Sequence, residues 1–244
     1  MTRAPNIHIG TSGWSYDHWD HVFYPDDLPT EERLGYYHQH FNTVEINNSF
    51  YHLPDATTFR NWRERVPPGF RFSVKASRYL THMKKLKTDT DALSRFYAAI
   101  EGLGDQAAAI LFQLPPRWRF NPDRLETFLS TLSRRYRHAF EFRDTSWIND
   151  DCTALLRTHG ASFCIYELAG YRSPMLVTSD TVYVRLHGPD GPYRGRYGRR
   201  GLKRWQQAIT DWRDRGLEVF VYFDNDEQGF ATADANTLLA LLDE

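Results

Sequence analysis

Eight short apolar segments recur along the chain, and each is followed by polar residues and then by a stretch of helical periodicity. They span residues 7–10, 43–50, 70–77, 108–114, 138–143, 162–167, 181–187 and 218–224. Within them apolar and polar residues alternate, which is typical of β-strands. Strands that alternate with helices form parallel sheets, and eight such units close a (β/α)8 barrel of the TIM type. The pattern therefore predicts a single α/β barrel over residues 1–244.

Length and composition agree with this fold and exclude several classes of protein. At 244 residues, 41% of them hydrophobic, the chain suffices for one barrel and leaves little for a second domain. Lys and Arg number 30 against 31 Asp and Glu, so the excess of positive charge typical of a dedicated nucleic-acid-binding protein is missing. The two cysteines have no metal-binding or redox spacing. No apolar run approaches the ~20 residues of a membrane span, and the first strand starts too early for a signal peptide. We expect a cytoplasmic protein with no membrane partner.

Side chains that alternate with the apolar ones are expected to point into the barrel, because the apolar set suits the layer between sheet and helices. Near the strand ends this inward set is polar or charged, and it comprises Glu45, Lys75, Gln113, Glu141, Arg143, Arg185, His187 and Asp224. Such barrels carry their active sites at the carboxyl ends of the strands, and buried charges must pair with each other or with a ligand. We interpret the cluster as a functional site. A lattice of ion pairs that only fills the barrel is the alternative.

The candidate catalytic residues are two glutamates, a histidine and a lysine. Glu45 and Glu141 suit general acid and base catalysis, with His187 as a second group for proton transfer. Lys75 would form a Schiff base if it were desolvated. We favour instead a counter-ion role for Lys75, beside Glu45 on the neighbouring strand.

Substrate binding is expected from groups around these four. Cations would hold an anion or stabilise developing negative charge, and amides and a tyrosine would orient the ligand. The predicted set is Asn47, Gln113, Arg143, Arg185, Tyr222, Asp224 and Asn225, joined at the rim by Trp14, Tyr16, His82 and Arg196. Aromatic rings suit sugars where they lie beside carboxylates, and suit bases of single-stranded nucleic acid where they lie beside arginines.

The loop after the seventh strand, residues 188–201, is rich in glycine and arginine. In barrels of this kind such loops often bind phosphate through backbone amides and a helix N-terminus, and arginine adds bidentate contacts. Arg196 represents this loop among the predicted binding residues. A solvated loop whose charges serve solubility is the alternative. A second basic segment follows His82 on the same rim.

No cofactor is predicted, and no metal ligands are assigned. The oxygen-rich set of Glu45, Glu141, His187 and Asp224 would suit a divalent metal ion, but the neighbouring fixed cations would compete with it. A divalent metal therefore stays an open alternative.

Several segments resemble the YecE-like family, also called domain-of-unknown-function family 72. They are GTSGWSY (10–16), VEINNSFY (44–51), FSVKAS (72–77), FQLPP (112–116), EFRDTSW (141–147), VRLHG (184–188) and VYFDN (221–225). The resemblance spans nearly the whole chain. It implies a TIM-type barrel with the matched polar residues at the strand ends, and it brings no assigned reaction. The chain departs from the family pattern at Asp224, where a double Asn usually ends the eighth strand.

We therefore expect an enzyme that uses acid/base chemistry on a small, oxygen-rich anionic substrate, as a hydrolase, lyase or isomerase. The alternatives are a nucleic-acid-binding, phosphodiesterase-like barrel and a ligand sensor without turnover. A small-molecule site predicts saturable binding that depends on Arg185 and Glu141, whereas a nucleic-acid site predicts binding that weakens steeply with salt. The sequence indicates no oligomeric state.

Overall fold

The computed structural model describes residues 6–87 and 89–244, and these form the predicted barrel. Its strands are β1 (Ile7–Thr11), β2 (Thr43–Ile46), β3 (Arg71–Lys75), β4 (Ala107–Gln113), β5 (Arg137–Glu141), β6 (Ser162–Leu168), β7 (Tyr171–Arg172), β8 (Thr181–Leu186) and β9 (Glu218–Phe223). The barrel wall runs in the order β1-β9-β8-β6-β5-β4-β3-β2, with parallel pairing, while the short β7 pairs antiparallel with β6. Residues 1–5, which bear on the expected lack of a signal peptide, lie outside the described residues.

Helices connect the strands on the outside of the barrel. They are α1 (Arg33–Tyr37), α2 (Ala56–Glu64), α3 (Thr90–Ile100), α4 (Pro122–Thr131), α5 (Asp150–Thr158), α6 (Gly198–Asp214) and α7 (Phe230–Leu242). Shorter helical turns span Asp17–Trp19, Thr30–Glu32, Asn48–Phe50, Tyr79–Met83, Glu101–Gln106 and Thr145–Trp147. Four of the longer helices begin at a side chain that accepts a backbone N–H of the first turn, namely Asp55, Asp89, Asn121 and Asn149. In the described ranges we find no helix with the length and hydropathy that a membrane crossing requires.

The barrel closes between β1 and β2, where a tyrosine hydroxyl replaces part of the backbone ladder. Tyr37 OH accepts from the N–H of Thr11 at 2.9 Å and donates to the Thr43 carbonyl at 3.1 Å. Gly10 permits this approach, because a Cβ at that position would lie 2.0 Å from the Thr43 carbonyl oxygen. Nearer the mouth, Ser12 pairs with Glu45 in an isolated parallel bridge.

The alternation predicted within the strands is confirmed. One set of strand side chains, such as Val44, Val74 and Val184, belongs to the large core between sheet and helices. The other set fills the barrel interior with a separate cluster of Ala109, Leu111, Ala139, Cys164, Tyr183, Phe220 and Tyr222, which Ala108 joins where the register between β3 and β4 shifts. Polar residues of the same inward parity continue this interior towards the strand ends, so the fold places the candidate site at the carboxyl mouth of the barrel.

Several element boundaries differ from those expected, and two of the differences shape the mouth. The second strand ends at Ile46 rather than residue 50, because the Ser49 hydroxyl bonds the carbonyls of Ile46 and Lys75 at 3.1 and 2.7 Å and holds a helical turn. Helix α6 begins at Gly198, within the segment 188–201 that was predicted as a loop, and Asp234 accepts the N–H groups of Tyr197 and Gly198 at its start. The loop between β8 and α6 therefore spans residues 187–197 and is shorter than the loop predicted over residues 188–201.

Candidate functional site

The polar side chains predicted at the strand ends meet around one guanidinium, that of Arg185 on β8. Its Nε and Nη2 donate to Oε1 of Glu45 at 3.1 and 2.8 Å, and its Nη1 donates to Oε2 of Glu141 at 2.8 Å. Nη2 also donates to Oδ2 of Asp224 at 3.2 Å. Arg185 is 1% exposed and both glutamates are completely buried. The centre of the predicted cluster is therefore a buried network of ion pairs.

Both oxygens of Glu45 are engaged by this network and its neighbours. Oε1 accepts a further, short hydrogen bond from Ser12 Oγ, and Oε2 accepts from Tyr183 OH at 2.6 Å. Asn47 Nδ2 donates to the same Ser12 hydroxyl at 2.5 Å. Glu45 is thus enclosed by protein donors and does not face the mouth.

Glu141 is similarly enclosed, and its charge is strongly favoured. Arg143 Nε donates a short hydrogen bond to Oε1, while Arg185 holds Oε2. Burial by itself would raise the pKa of Glu141, but Arg143, Arg185 and His187 outweigh burial and hold that pKa well below its usual range. Glu141 therefore stays ionised at neutral pH. This geometry argues against direct proton transfer by Glu45 or Glu141, because such a group must reach the substrate.

His187 is fixed by charged neighbours on both ring nitrogens. Nδ1 lies 2.9 Å from Asp224 Oδ2, and Nε2 lies 2.9 Å from Arg143 Nη2 and 3.3 Å from Arg185 Nη1. Guanidinium groups only donate, so in the neutral ring Nε2 accepts from them and Nδ1 carries the proton; Nε2 also lies 3.5 Å from Glu141 Oε1, which a protonated ring would face. The ring is completely buried. His187 therefore orients Arg143, and Asp224 in turn holds the ring of His187 in place.

Lys75 differs from the other charged residues of the mouth. Within the described parts of the chain no carboxylate oxygen lies within 4.0 Å of its Nζ, which instead sits 4.5 Å from the centre of the Phe50 ring. The expected counter-ion role beside Glu45 is therefore wrong, because Ser12, Tyr183 and Arg185 already occupy the Glu45 oxygens. Burial, followed by the charge of Arg185, lowers the pKa of Lys75 to about 8.

Two predicted amides flank Lys75 along the strand ends. Asn47 follows Ile46, whose partner on β3 is Val74, so Asn47 lies next to Lys75. Gln113 ends β4, two residues beyond Leu111, the partner of Lys75. Among the described residues Oδ1 of Asn47 and Oε1 of Gln113 are buried and lack a hydrogen-bond partner. Orphaned oxygens of this kind are costly in the absence of a donor, so they favour a ligand that brings one.

Tyr222 lies deeper than expected. Its hydroxyl donates to Ser73 Oγ at 2.8 Å and lies 2.8 Å from Thr43 Oγ1, and the side chain is completely buried in the barrel interior. Tyr222 therefore belongs to the layer of side chains beneath the site and cannot orient a ligand at the mouth.

The expected anion site at the helix after β8 is occupied by a protein carboxylate. Asp234 of α7 accepts the N–H groups of Tyr197 and Gly198 at 2.8 and 3.0 Å, and it also accepts from Asn225 Nδ2 at 2.8 Å. Arg196 Nε lies 3.8 Å from the same carboxylate, and its side chain is half exposed. Asn225 and Arg196 thus contact Asp234, and the start of α6 has no free N–H in these two positions for a phosphate.

An aromatic cavity of about 290 Å³ adjoins the ionic network and includes Asn47, Trp14, Tyr16 and Tyr51 in its lining. Tyr16 is held by a hydrogen bond from its hydroxyl to the Ser12 carbonyl at 2.6 Å. Tyr51 is 71% exposed, so one aromatic wall faces solvent. The predicted rim residues Trp14 and Tyr16 therefore form a pocket beside the charged site.

His82 contacts Phe50, whose ring in turn contacts Tyr51 of the aromatic cavity. Its ring packs edge-on against Phe50 at 5.0 Å, and Nδ1 lies 2.9 Å from Thr81 Oγ1. Burial and the charges of Lys75 and Arg78 lower the pKa of His82. His82 and Lys75 thus both lie against the Phe50 ring.

In residues 6–87 and 89–244 no group of three or more His, Cys, Asp or Glu side chains has the arrangement of a metal site. The oxygen atoms of the suggested metal set instead face Arg143 and Arg185.

The sequence matches the family model described as "Protein of unknown function DUF72" over residues 8–244. The chain belongs to the DUF72 family. It is 27% identical over 271 residues to the UPF0759 protein YunF of Bacillus subtilis (strain 168), a match that covers 97% of this chain and 95% of YunF. It is 29% identical over 140 residues to the UPF0759 protein YecE of Escherichia coli (strain K12), a match that covers 56% of this chain and 48% of YecE.

Solved DUF72 structures share the barrel. A DUF72 family protein from Thermotoga maritima MSB8 superposes with a TM-score of 0.87 at 28% identity, covering 98% of this chain and 99% of that one. A DUF72 family protein from Enterococcus faecalis V583 has a TM-score of 0.84 at 18% identity, with 98% and 96% covered, and supports the fold alone.

Sequence reasoning missed four residues that shape the site of this DUF72 protein. Tyr183 shares the inward parity of Arg185, and Ser12 lies in the GTSGWSY segment, so both carried a usable signal. Asp226 follows Asp224 by two residues and bonds Trp19 Nε1 at 2.5 Å, and burial raises its pKa to about 6. Asp234 carried no comparable signal, because it lies on the last helix.

Proposed function

We propose that this DUF72 barrel is an enzyme that binds a small, oxygen-rich anionic substrate at the carboxyl mouth and acts on it by acid/base chemistry. The observation that carries the proposal is Lys75, a partly buried ammonium without a carboxylate partner among the described residues. A buried charge without a partner is costly, and an anionic ligand would remove that cost.

Proton transfer is assigned to Lys75 rather than to the buried glutamates or His187. Its pKa of about 8 lies near neutral pH, where a group serves best as acid and as base in turn. Glu45 and Glu141 balance the charge of Arg185, which gives the mouth a rigid floor. Because Lys75 transfers the proton, Glu45 and Glu141 need no contact with the substrate, which agrees with their complete burial.

Arg143 is the second group assigned to the substrate. It engages Glu141 through Nε and His187 through Nη2, and no other described residue bonds Nη1, which can take an incoming oxygen atom. Its guanidinium stacks 4.8 Å from the centre of the Tyr166 ring, so its orientation is fixed before a ligand arrives. A preorganised guanidinium suits carboxylate or phosphate groups.

The proposal is tested by thermal unfolding against phosphorylated sugars, carboxylates, neutral glycosides, divalent metals and short single strands, at low and moderate salt. A ligand at about 100 times its Kd stabilises the protein by ~2.7 kcal/mol, which shifts the melting temperature measurably. We expect a shift with small anions that is lost in Lys75→Met and kept in Lys203→Met, a change of an exposed lysine on α6. Exchange of substrate C–H protons in heavy water, followed by NMR, would then establish turnover.

A shift with oligonucleotides alone, fading as salt rises, would overturn the proposal in favour of the nucleic-acid alternative. Binding of small anions without any proton exchange or product would instead indicate the ligand sensor.

A further inference from the structure

We propose that Lys75 is a nucleophile that forms a Schiff base with the aldehyde or ketone group of a small polyhydroxylated substrate. The inference rests on the proposed function, since it concerns the same site, and adds a covalent step and a substrate class. It starts from the position of the amine: Lys75 ends β3 with the inward parity of Ser73, at the strand ends where a ligand enters.

The surroundings of Nζ raise the fraction of Lys75 that is a neutral amine near neutral pH, although the ammonium form still predominates at pH 7. Charged groups face it from several elements: Arg185 on β8, Glu45 on β2, Glu141 on β5 and Asp224 after β9. The three carboxylates are already paired with an arginine or a histidine, so none of them forms an ion pair that would favour the protonated form of Lys75. Burial and Arg185 lower the pKa of Lys75 to about 8. At pH 7 this gives roughly two hundred times more neutral amine than a lysine with the ordinary pKa of ~10.4.

The amides beside Lys75 indicate what else the substrate carries. Asn47 and Gln113 present buried acceptor oxygens without donors in the described chain, one on each side of the lysine. Hydroxyl groups on the carbon atoms next to an imine would supply those donors. The aromatic cavity of about 290 Å³ that Asn47 shares with Trp14 and Tyr51 would take the remainder of the molecule. A short open-chain sugar, or its phosphate, has this combination of groups.

The step needs no oxidant or reductant. The neutral amine, having lost its proton to solvent, attacks the carbonyl carbon, and one proton moves from the nitrogen to the carbonyl oxygen to give a carbinolamine. Its hydroxyl takes up a second proton from solvent and leaves as water, which gives a protonated imine; loss of the remaining nitrogen proton to solvent gives the neutral imine. One C–N double bond replaces one C–O double bond, and one water molecule is released.

Borohydride trapping tests the proposal, because hydride reduces an imine to a stable secondary amine. Wild-type protein is incubated with dihydroxyacetone phosphate or erythrose phosphate, reduced and digested, and each lysine peptide is analysed by mass spectrometry. The sequence contains five lysines: Lys75, Lys84, Lys85, Lys87 and Lys203. We expect one adduct, with the mass of the carbonyl compound less one oxygen atom, at Lys75 and at least about tenfold faster than at Lys203.

Lys75→Arg should abolish the adduct and Lys203→Met should keep it. Because the modified lysine is mapped in the wild-type protein, the result stands even if a variant fails to fold. Equal labelling of the exposed lysines, with none favouring Lys75, would overturn the inference as non-specific glycation.

A parallel experiment separates this inference from the proposed function. Glycerol phosphate and erythritol phosphate lack the carbonyl group but keep the hydroxyls and the anion. If these alcohols and the carbonyl compounds raise the melting temperature equally and no adduct is trapped, acid/base binding stands and the Schiff base is refuted. If no compound of either set binds or is trapped, both proposals fail.

Discussion

Replacing Arg185 with methionine should destabilise the protein strongly at neutral pH and less at acid pH. Arg185 is the cation shared by Glu45, Glu141 and Asp224. Methionine has a similar length and no charge, so it would fill the space and leave the carboxylates without their common partner. Removing one partner of a buried ion pair costs about 3–5 kcal/mol, since the other charge stays buried and uncompensated.

The remaining contacts keep the loss within that range. Glu141 retains Arg143, and Glu45 retains the hydroxyls of Ser12 and Tyr183. In the wild type the pKa of Glu141 is depressed, so its stabilising contribution is complete above its unfolded pKa and is lost only as pH falls through the lower folded pKa. In the variant, a buried carboxylate without its cation has a raised pKa and takes up a proton on acidification. The penalty of the substitution should therefore shrink by about 1–2 kcal/mol between pH 7.5 and pH 5, both values being assay conditions.

Urea unfolding followed by tryptophan fluorescence measures this difference directly. The matched control is Arg199→Met, which removes an ion pair with Glu244 between half-exposed side chains and should leave the midpoint unchanged at both pH values. The reasoning is refuted if Arg185→Met costs less than about 1 kcal/mol, or if its cost is the same at both pH values.

Three further changes test other parts of the structure. The affinity for an anionic ligand, measured by calorimetry, should fall as pH rises through about 8, because the neutral amine of Lys75 no longer attracts the anion; a similar fall in Lys75→Arg would contradict this. Gly10→Ala should lower the melting temperature sharply, since its Cβ would lie 2.0 Å from the Thr43 carbonyl oxygen, whereas Gly35→Ala meets nothing within 4 Å and serves as the control. Asp234→Ala should cost about 1–3 kcal/mol and speed hydrogen exchange in residues 188–201, because it orphans two backbone N–H groups at the start of α6. Unchanged exchange there would show that the carboxylate does not hold the loop.

The candidate site was predictable as a location and only in part as an arrangement. Alternation within the strands placed Glu45, Glu141 and Arg185 on the inward side at the strand ends, and the structure brings them together. Pairing across the barrel was not predictable, because it depends on strand stagger and on which side chains are long enough to reach. The predicted pairing of Lys75 with Glu45 was wrong for this reason: the hydroxyl of Tyr183, on β8, donates to Glu45 Oε2 at 2.6 Å.

The arginine-rich loop shows the same limit. Its composition favours anion binding, but Asp234, far away in sequence on α7, lies where the anion was expected. The sequence by itself determined the barrel, the inward set of side chains and the end of the barrel where they gather, because hydrophobic periodicity and short connections are local properties. Only the tertiary structure decided which charges neutralise one another and left Lys75 without a carboxylate partner among the described residues, because ion pairs in a barrel form between residues that are distant in the chain and compete for the same few donors.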